Sequence, residues 1–141
     1  LWSAALELIM AHPLTGVGMN VFRTLVTLPT AFETAPDHDV AHAHNHLLQA
    51  ALDLGIPGLV AYLSLWVITA TLLSKVYRHS TGFNRKLAGG LGAGLIAHFV
   101  FGLTDAIPLG SKVGVLFWLV LALCVGLHQV SQRNQPSTRS R

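Results

Sequence analysis

The residues best suited to acid-base chemistry lie in one short segment, His44-Asn45, which precedes Gly55-Ile56-Pro57-Gly58. An imidazole has a reference pKa near about 6.5, so it can accept a proton from a hydroxyl group close to neutral pH. A carboxamide both donates and accepts hydrogen bonds, so Asn45 can orient the imidazole or a bound hydroxyl. An uncharged run follows from Ile56 to Leu73. This arrangement predicts a proton-accepting site just outside the mouth of an apolar helix.

The composition indicates what kind of element positions this segment. The chain is 52% hydrophobic and only 11% charged, which is typical of a membrane protein. Three uncharged stretches, 56–73, 87–103 and 113–130, are each long enough as helices to approach the bilayer's hydrocarbon thickness of about 30 Å. The sequence therefore predicts an all-α polytopic membrane protein with about three transmembrane helices.

The charge distribution predicts the orientation of these helices. Most of the nine basic residues lie between the first two spans or after the third, and short loops rich in Lys and Arg stay in the cytoplasm. All six acidic residues lie in the segments assigned to the other side, where Asp105 and Lys112 mark the boundary with water. The segment around His44 is thus expected to face outward. The basic residues form no dense run, so the net charge of +3 does not indicate a nucleic-acid partner.

The residues before the first span predict an outward loop with short helices. Apolar residues recur at helical spacing from Trp2 to Met10, and Pro13 ends that helix. A second apolar face covers 47–54, after which Gly55 suits a helix stop and Pro57 the first turn of the next helix. We expect three regions, which are the loop over 1–54, the transmembrane helices over 55–130 and a basic cytoplasmic tail over 131–141.

The histidines also allow a metal site as an alternative interpretation. His42, His44 and His46 alternate and His38 precedes them, and neutral imidazole is a common zinc ligand. The single cysteine, Cys124, lies far away inside the third apolar run, where packing is the expected role. His38 and His42 lie in a stretch rich in Pro and Asp, with no fixed helical spacing. The expectation is therefore a site without a metal.

The sequence resembles the bacterial superfamily of O-antigen ligases and O-antigen polymerases, which also includes oligosaccharyltransferases that O-glycosylate proteins. The resemblance rests on His44-Asn45 followed by Gly55-x-x-Gly58, on the upstream His12-Pro13-x-x-Gly16-x-Gly18, and on the long apolar run after Gly58. It covers nearly all of residues 1–127 and is most specific between 42 and 60. Because the chain begins at Leu1 without a signal-peptide pattern, we expect it to be the C-terminal part of a longer inner-membrane protein.

The resemblance implies glycosyl transfer with inversion from an undecaprenyl-diphosphate-linked glycan, without a cofactor or an obligatory metal. The implied acceptor is a hydroxyl of lipid A-core, of a glycan or of a protein, reached on the periplasmic side. His44 is then the candidate catalytic base. The candidate substrate-binding residues are Asn45, His46 and Arg23, whose guanidinium can bind phosphate oxygens at two points.

Two further interpretations remain open at this stage. The superfamily includes members proposed to handle bicarbonate, so a membrane transporter or a non-catalytic membrane subunit is the alternative function. A metal-binding sensor loop around His42 and His46 is another. We expect residues 1–141 alone to be inactive as a transferase, because upstream helices would complete the groove for the lipid carrier.

Overall fold

The computed structural model describes residues 1–26, 40–107, 112 and 114–134. His38, in the stretch rich in Pro and Asp, and the part of the predicted basic tail after Asn134 lie outside the described residues. The described part of the chain is all-helical and contains no strand. Its helices are α1 (Trp2–Ala11), α2 (Val21–Val26), α3 (His46–His79), α4 (Gly82–Gly102) and α5 (Gly114–Arg133).

The chain divides into two compact units. The first contains Leu1–Ser64 and Phe99–Leu109, and the second contains Leu65–His98 and Gly110–Arg141. The first unit has a small apolar core to which α1, α2, the segment before α3 and the start of α3 all contribute. The buried residues of this core are Ala4, Ala5, Ile9, Phe22, Val26, Val40, Ala43, Ala51 and Leu52.

Helix α3 is broken at Gly55, where φ is 71° and ψ is −175°. A residue with a side chain rarely adopts this conformation, which explains the glycine. In a continuous helix the amide of Ile56 would bond to the carbonyl of Leu52. Instead, Ile56 N–H donates to Pro13 O and Leu52 O accepts from Val17 N–H, each at 2.7 Å. The turn over 12–18 therefore satisfies both backbone groups that the break exposes.

Two of the helices, α3 and α5, are long and apolar enough to cross a membrane. Their most apolar stretches are only 17% and 33% buried within the chain, whereas the core helix of a soluble protein is mostly buried. Helix α4 covers the predicted second span but does not meet the same hydropathy criterion. Its glycines, His98 and the flanking Arg85 and Lys86 lower the mean hydropathy. That α4 crosses the membrane therefore stays a prediction.

Aromatic packing and a hydroxyl pair join helices within the second unit. The ring of His98 stacks on Phe117, with centroids 5.2 Å apart, and on Trp66 at 5.8 Å. Ser80 Oγ and Ser131 Oγ share a hydrogen bond of 2.6 Å. His98 therefore has a packing role inside this unit.

Candidate active site

His44 has an uncommon backbone conformation for a residue with a side chain. Its φ is 50°, in the left-handed region, which costs about 1–3 kcal/mol for a residue other than glycine. Such a conformation persists only when the surrounding structure holds it, and it occurs often at functional sites. The residues on both sides of His44, Ala43 and Asn45, are each fixed by hydrogen bonds to distant parts of the first unit.

Ala43 is held through both of its backbone polar groups. Its carbonyl oxygen accepts a hydrogen bond of 2.9 Å from Trp2 Nε1, at the start of α1. Its N–H donates to Gln49 Oε1 at 3.0 Å, and Gln49 Nε2 in turn donates to Asp53 Oδ1 at 2.7 Å. Ala43 itself is fully buried. Its burial and these two hydrogen bonds fix the backbone immediately before His44.

Asn45 fixes the chain on the other side of His44 by capping α3. Its Oδ1 accepts from the N–H groups of Leu47 and Leu48, at 2.9 and 3.1 Å, as an N-cap side chain does. Its Nδ2 donates to Leu103 O at 3.1 Å and so ties this segment to the residues after α4. These contacts use Oδ1 and one of the two hydrogens on Nδ2, so Asn45 has a structural role at the start of α3. Its predicted role in orienting a substrate hydroxyl stays a prediction.

The side chain of His44 meets Asp105, which is a residue that sequence reasoning assigned only to the membrane boundary. His44 Nδ1 lies 3.1 Å from Asp105 Oδ1, and Ala106 N–H also donates to that oxygen at 2.8 Å. Because a carboxylate only accepts, this bond places a proton on Nδ1 and leaves the lone pair of a neutral imidazole on Nε2. His44 is 51% exposed, so an incoming molecule can reach the ring.

His42 completes the cluster beside these two side chains. Its ring packs edge-on against that of His44, with centroids 4.4 Å apart, and its Nδ1 accepts a hydrogen bond of 3.4 Å from the His44 N–H. Burial and the neighbouring His44 lower the pKa of His42, and the Asp105 carboxylate only partly opposes them. His42 is therefore expected to stay neutral at neutral pH, and its Nδ1 lies 3.6 Å from Asp105 Oδ1, farther than the Nδ1 of His44.

The same three side chains can also be considered as metal ligands. One ligand atom from each of His42, His44 and Asp105 lies within 4.8 Å of the others. Two imidazoles and a carboxylate suit Zn²⁺ or a similar divalent cation, with a further position for water. The site without a metal stays a prediction, and the cluster defines where a metal would be sought.

His46 is buried, in contrast to the half-exposed His44. It is only 6% exposed, and its ring packs edge-on against Tyr62 and Phe99. Its Nδ1 lies 3.3 Å from the Tyr62 hydroxyl, and Gly102 lies so close that a Cβ at that position would overlap the ring. This geometry places His46 in the packing between α3 and the end of α4, and its predicted contact with substrate stays a prediction.

Arg23 lies on the exposed side of α2. The buried side of that helix, Phe22 and Val26, enters the same apolar core as Ala43. The core therefore fixes α2 and the His44 segment within one unit. A phosphate contact of Arg23 stays a prediction.

Two residues of this site were missed by sequence reasoning. Asp105 carried one usable signal, since it follows a predicted span at its outward end, on the side assigned to His44. Gln49 carried only its place between 42 and 60, where the resemblance is most specific, and that place does not show what the glutamine contacts. In the structure both act on the His44 segment.

The comparison with protein families gives one match. Residues 1–63 match the family described as O-antigen ligase, a range that includes His44, Gln49 and Gly55, whereas Asp105 lies beyond it. No curated protein matches the chain. The family match confirms the resemblance inferred from His44-Asn45 and Gly55-x-x-Gly58, and together with the two apolar helices it indicates a membrane protein.

Proposed function

We propose that the protein transfers a glycan from an undecaprenyl-diphosphate donor to a hydroxyl acceptor, on the periplasmic side of the bacterial inner membrane, because residues 1–63 match the family described as O-antigen ligase. The observation that best supports this proposal is the left-handed backbone conformation of His44, which hydrogen bonds to Ala43 and Asn45 maintain. Its Nδ1 is engaged by Asp105 while its half-exposed ring leaves Nε2 to accept a proton. Glycan transfer by membranes that carry wild-type or His44→Ala protein is the experiment that tests it.

The proposed reaction is a single displacement at the anomeric carbon of the donor sugar. The acceptor hydroxyl oxygen forms a bond to this carbon, and its proton passes to His44 Nε2. The bond between the anomeric carbon and the phosphate oxygen breaks, and the lipid diphosphate leaves with the electron pair. Attack opposite the leaving group inverts the configuration. His44 loses its proton to water before the next turnover.

In this mechanism Asp105 keeps the imidazole in the useful tautomer and stabilises the imidazolium that forms. A histidine that accepts the proton and a carboxylate that orients this histidine are a common arrangement for activating a hydroxyl. The departing diphosphate gains negative charge, and the exposed guanidinium of Arg23 is the proposed partner for it. Among acceptors, we favour lipid A-core or a growing glycan over a protein hydroxyl.

Asp105→Asn is expected to lower the rate of transfer about tenfold with little change in the KM for the lipid-linked donor. The amide keeps the shape of the side chain but removes the charge that stabilises the imidazolium, while Asp105 is exposed enough for water to limit the effect. Initial rates in membranes with matched protein amounts measure this. The control is Glu7→Gln, which removes an exposed charge from α1. A full rate in Asp105→Asn would contradict the role of the pair.

Treatment with a chelator is expected to leave the rate of transfer within about twofold of the untreated rate, because the proposed step uses a free imidazole lone pair. The alternative favoured by the His42, His44 and Asp105 cluster is a bound divalent cation. In that case the chelator would abolish transfer, and Zn²⁺ added back would restore it. Equal-dose additions of Mg²⁺ and Zn²⁺ to chelator-treated membranes separate the two readings.

A further inference from the structure

A buried pair of polar side chains in the first turns of α3 connects the helix to the segment that carries His44. Gln49 is 5% exposed and Asp53, one turn later, is 6% exposed. Neither is adjacent to His44, but Gln49 is bonded to Ala43, the residue immediately before it. Buried polar groups of this kind require hydrogen-bond partners, so their arrangement is specific.

The direction of each hydrogen bond in this chain is determined by chemistry. The amide of Ala43 can only donate, so Gln49 must turn its carbonyl oxygen toward it. The NH₂ group of Gln49 then faces Asp53, which accepts through Oδ1. Asp53 therefore orients Gln49, and Gln49 holds Ala43.

The position of Ala43 matters because the next residue has the left-handed conformation. A backbone free to relax would move His44 out of that conformation, and the imidazole would move away from Asp105. Trp2 and Gln49 hold Ala43 on opposite backbone groups, but only Gln49 lies on the same helix that Asn45 caps. Gln49 thus fixes the separation between the start of α3 and the backbone that precedes His44.

We propose that Gln49, oriented by Asp53, is a positioning residue that holds the His44 imidazole against Asp105. This inference rests on the proposed function for its effect on transfer, but its structural part stands on the hydrogen bonds alone. Gln49 acts through the backbone of Ala43 and does not touch the substrate. A misplacement of about 1 Å at a reacting group can cost about 10²-fold in rate, so a loss of this hold would be visible in catalysis.

Three variants separate positioning from packing. Gln49→Leu replaces the amide with an apolar side chain of similar size and removes both hydrogen bonds. Gln49→Glu keeps the acceptor for Ala43 but places two carboxyl groups against each other. In the double variant Gln49→Glu, Asp53→Asn, the carboxylate accepts from both Ala43 N–H and the new amide, which restores the bonds in exchanged form. Gln129→Leu, at an exposed glutamine on α5, is the matched control.

In the full-length protein, Gln49→Leu is expected to lower kcat for glycan transfer by about 10- to 100-fold with KM for the lipid-linked donor within about twofold. Gln49→Glu should be similarly impaired, while the double variant recovers to within about threefold of wild type. Amide hydrogen exchange of the peptide that covers 40–48 should be faster in Gln49→Leu and close to wild type in the double variant. Gln129→Leu should change neither quantity.

The two readouts distinguish the possible failures. Unchanged exchange and unchanged kcat in Gln49→Leu, or a double variant as impaired as Gln49→Leu at equal membrane abundance, would overturn the positioning role. If wild-type membranes transfer no glycan, the proposed function fails, and if His44→Ala protein keeps full transfer, the role of His44 as the base fails. In either case, faster exchange in Gln49→Leu and its recovery in the double variant still support the hold on Ala43. A lower thermal midpoint shared by all three Gln49 variants, without recovery of exchange, would show that the pair only stabilises the fold.

Discussion

Membranes that carry the His44→Ala protein are expected to transfer glycan at least about 10²-fold more slowly than wild-type membranes, because a positioned general base contributes about 10²- to 10⁴-fold. The alanine removes the Nε2 lone pair, and the neighbouring imidazole of His42 is farther from Asp105 and much less exposed than that of His44. The measurement is the initial rate of transfer from an undecaprenyl-diphosphate donor, with the amount of inserted protein determined on the same membranes.

A matched histidine variant controls for nonspecific damage. His79→Ala removes an exposed imidazole at the end of α3, whose Nδ1 lies 2.9 Å from the Lys75 carbonyl oxygen, and it should transfer at the wild-type rate. Full activity in His44→Ala would contradict the assignment of His44 as the base. Absence of transfer in the wild type itself would favour the transporter interpretation.

Gly55→Ala is expected to reduce the free energy of unfolding by about 3 kcal/mol or more, at the upper end of single-residue effects. The φ of 71° already disfavours a side chain, and an added Cβ would lie 2.6 Å from the Leu14 carbonyl carbon and 2.9 Å from Gly16 N. These are backbone atoms that cannot rotate away. The result would be seen as a lower thermal midpoint and less protein accumulated in the membrane.

Two glycine variants give the comparison that this prediction needs. Gly16→Ala meets the same interface from the other side, where a Cβ would lie 2.6 Å from Gly55 N and 2.7 Å from Leu54 N, so it should be equally damaging. Gly126→Ala in α5 meets nothing within 4 Å and removes a helix-weakening glycine, so it should be neutral or slightly stabilising. A Gly55→Ala protein as stable as Gly126→Ala would show that the turn and the helix break move apart freely.

The local features of this protein follow from its sequence. Helical spacing between Trp2 and Met10 predicts α1, and the observed helix is Trp2–Ala11. The glycine and proline at 55 and 57 predict the helix break that the structure places at Gly55. These features depend on backbone freedom and on hydrophobicity over a few neighbouring residues, which a single sequence displays directly.

The sequence also nominates His44, since an imidazole beside a carboxamide before a double-glycine break is an unusual pattern. The sequence could not show which groups surround this histidine. Asn45 can act on a substrate or on a helix, and only the bonds to Leu47, Leu48 and the Leu103 carbonyl identify it as a cap. His46 differs from His44 by two positions along the chain, yet one is buried and the other is half exposed.

What only the tertiary structure decided is the set of long-range partners. Asp105 approaches His44 because Asn45 ties the start of α3 to the residues after α4. Gln49, in the first turn of α3, bonds to Ala43 in the segment before that helix. Hydropathy and spacing report the environment along one helix, whereas these contacts depend on how separate helices pack. The sequence therefore determined most of the helices, the break and the candidate histidine. The fold around the start of α3 selected the carboxylate and the amide that hold this histidine in place.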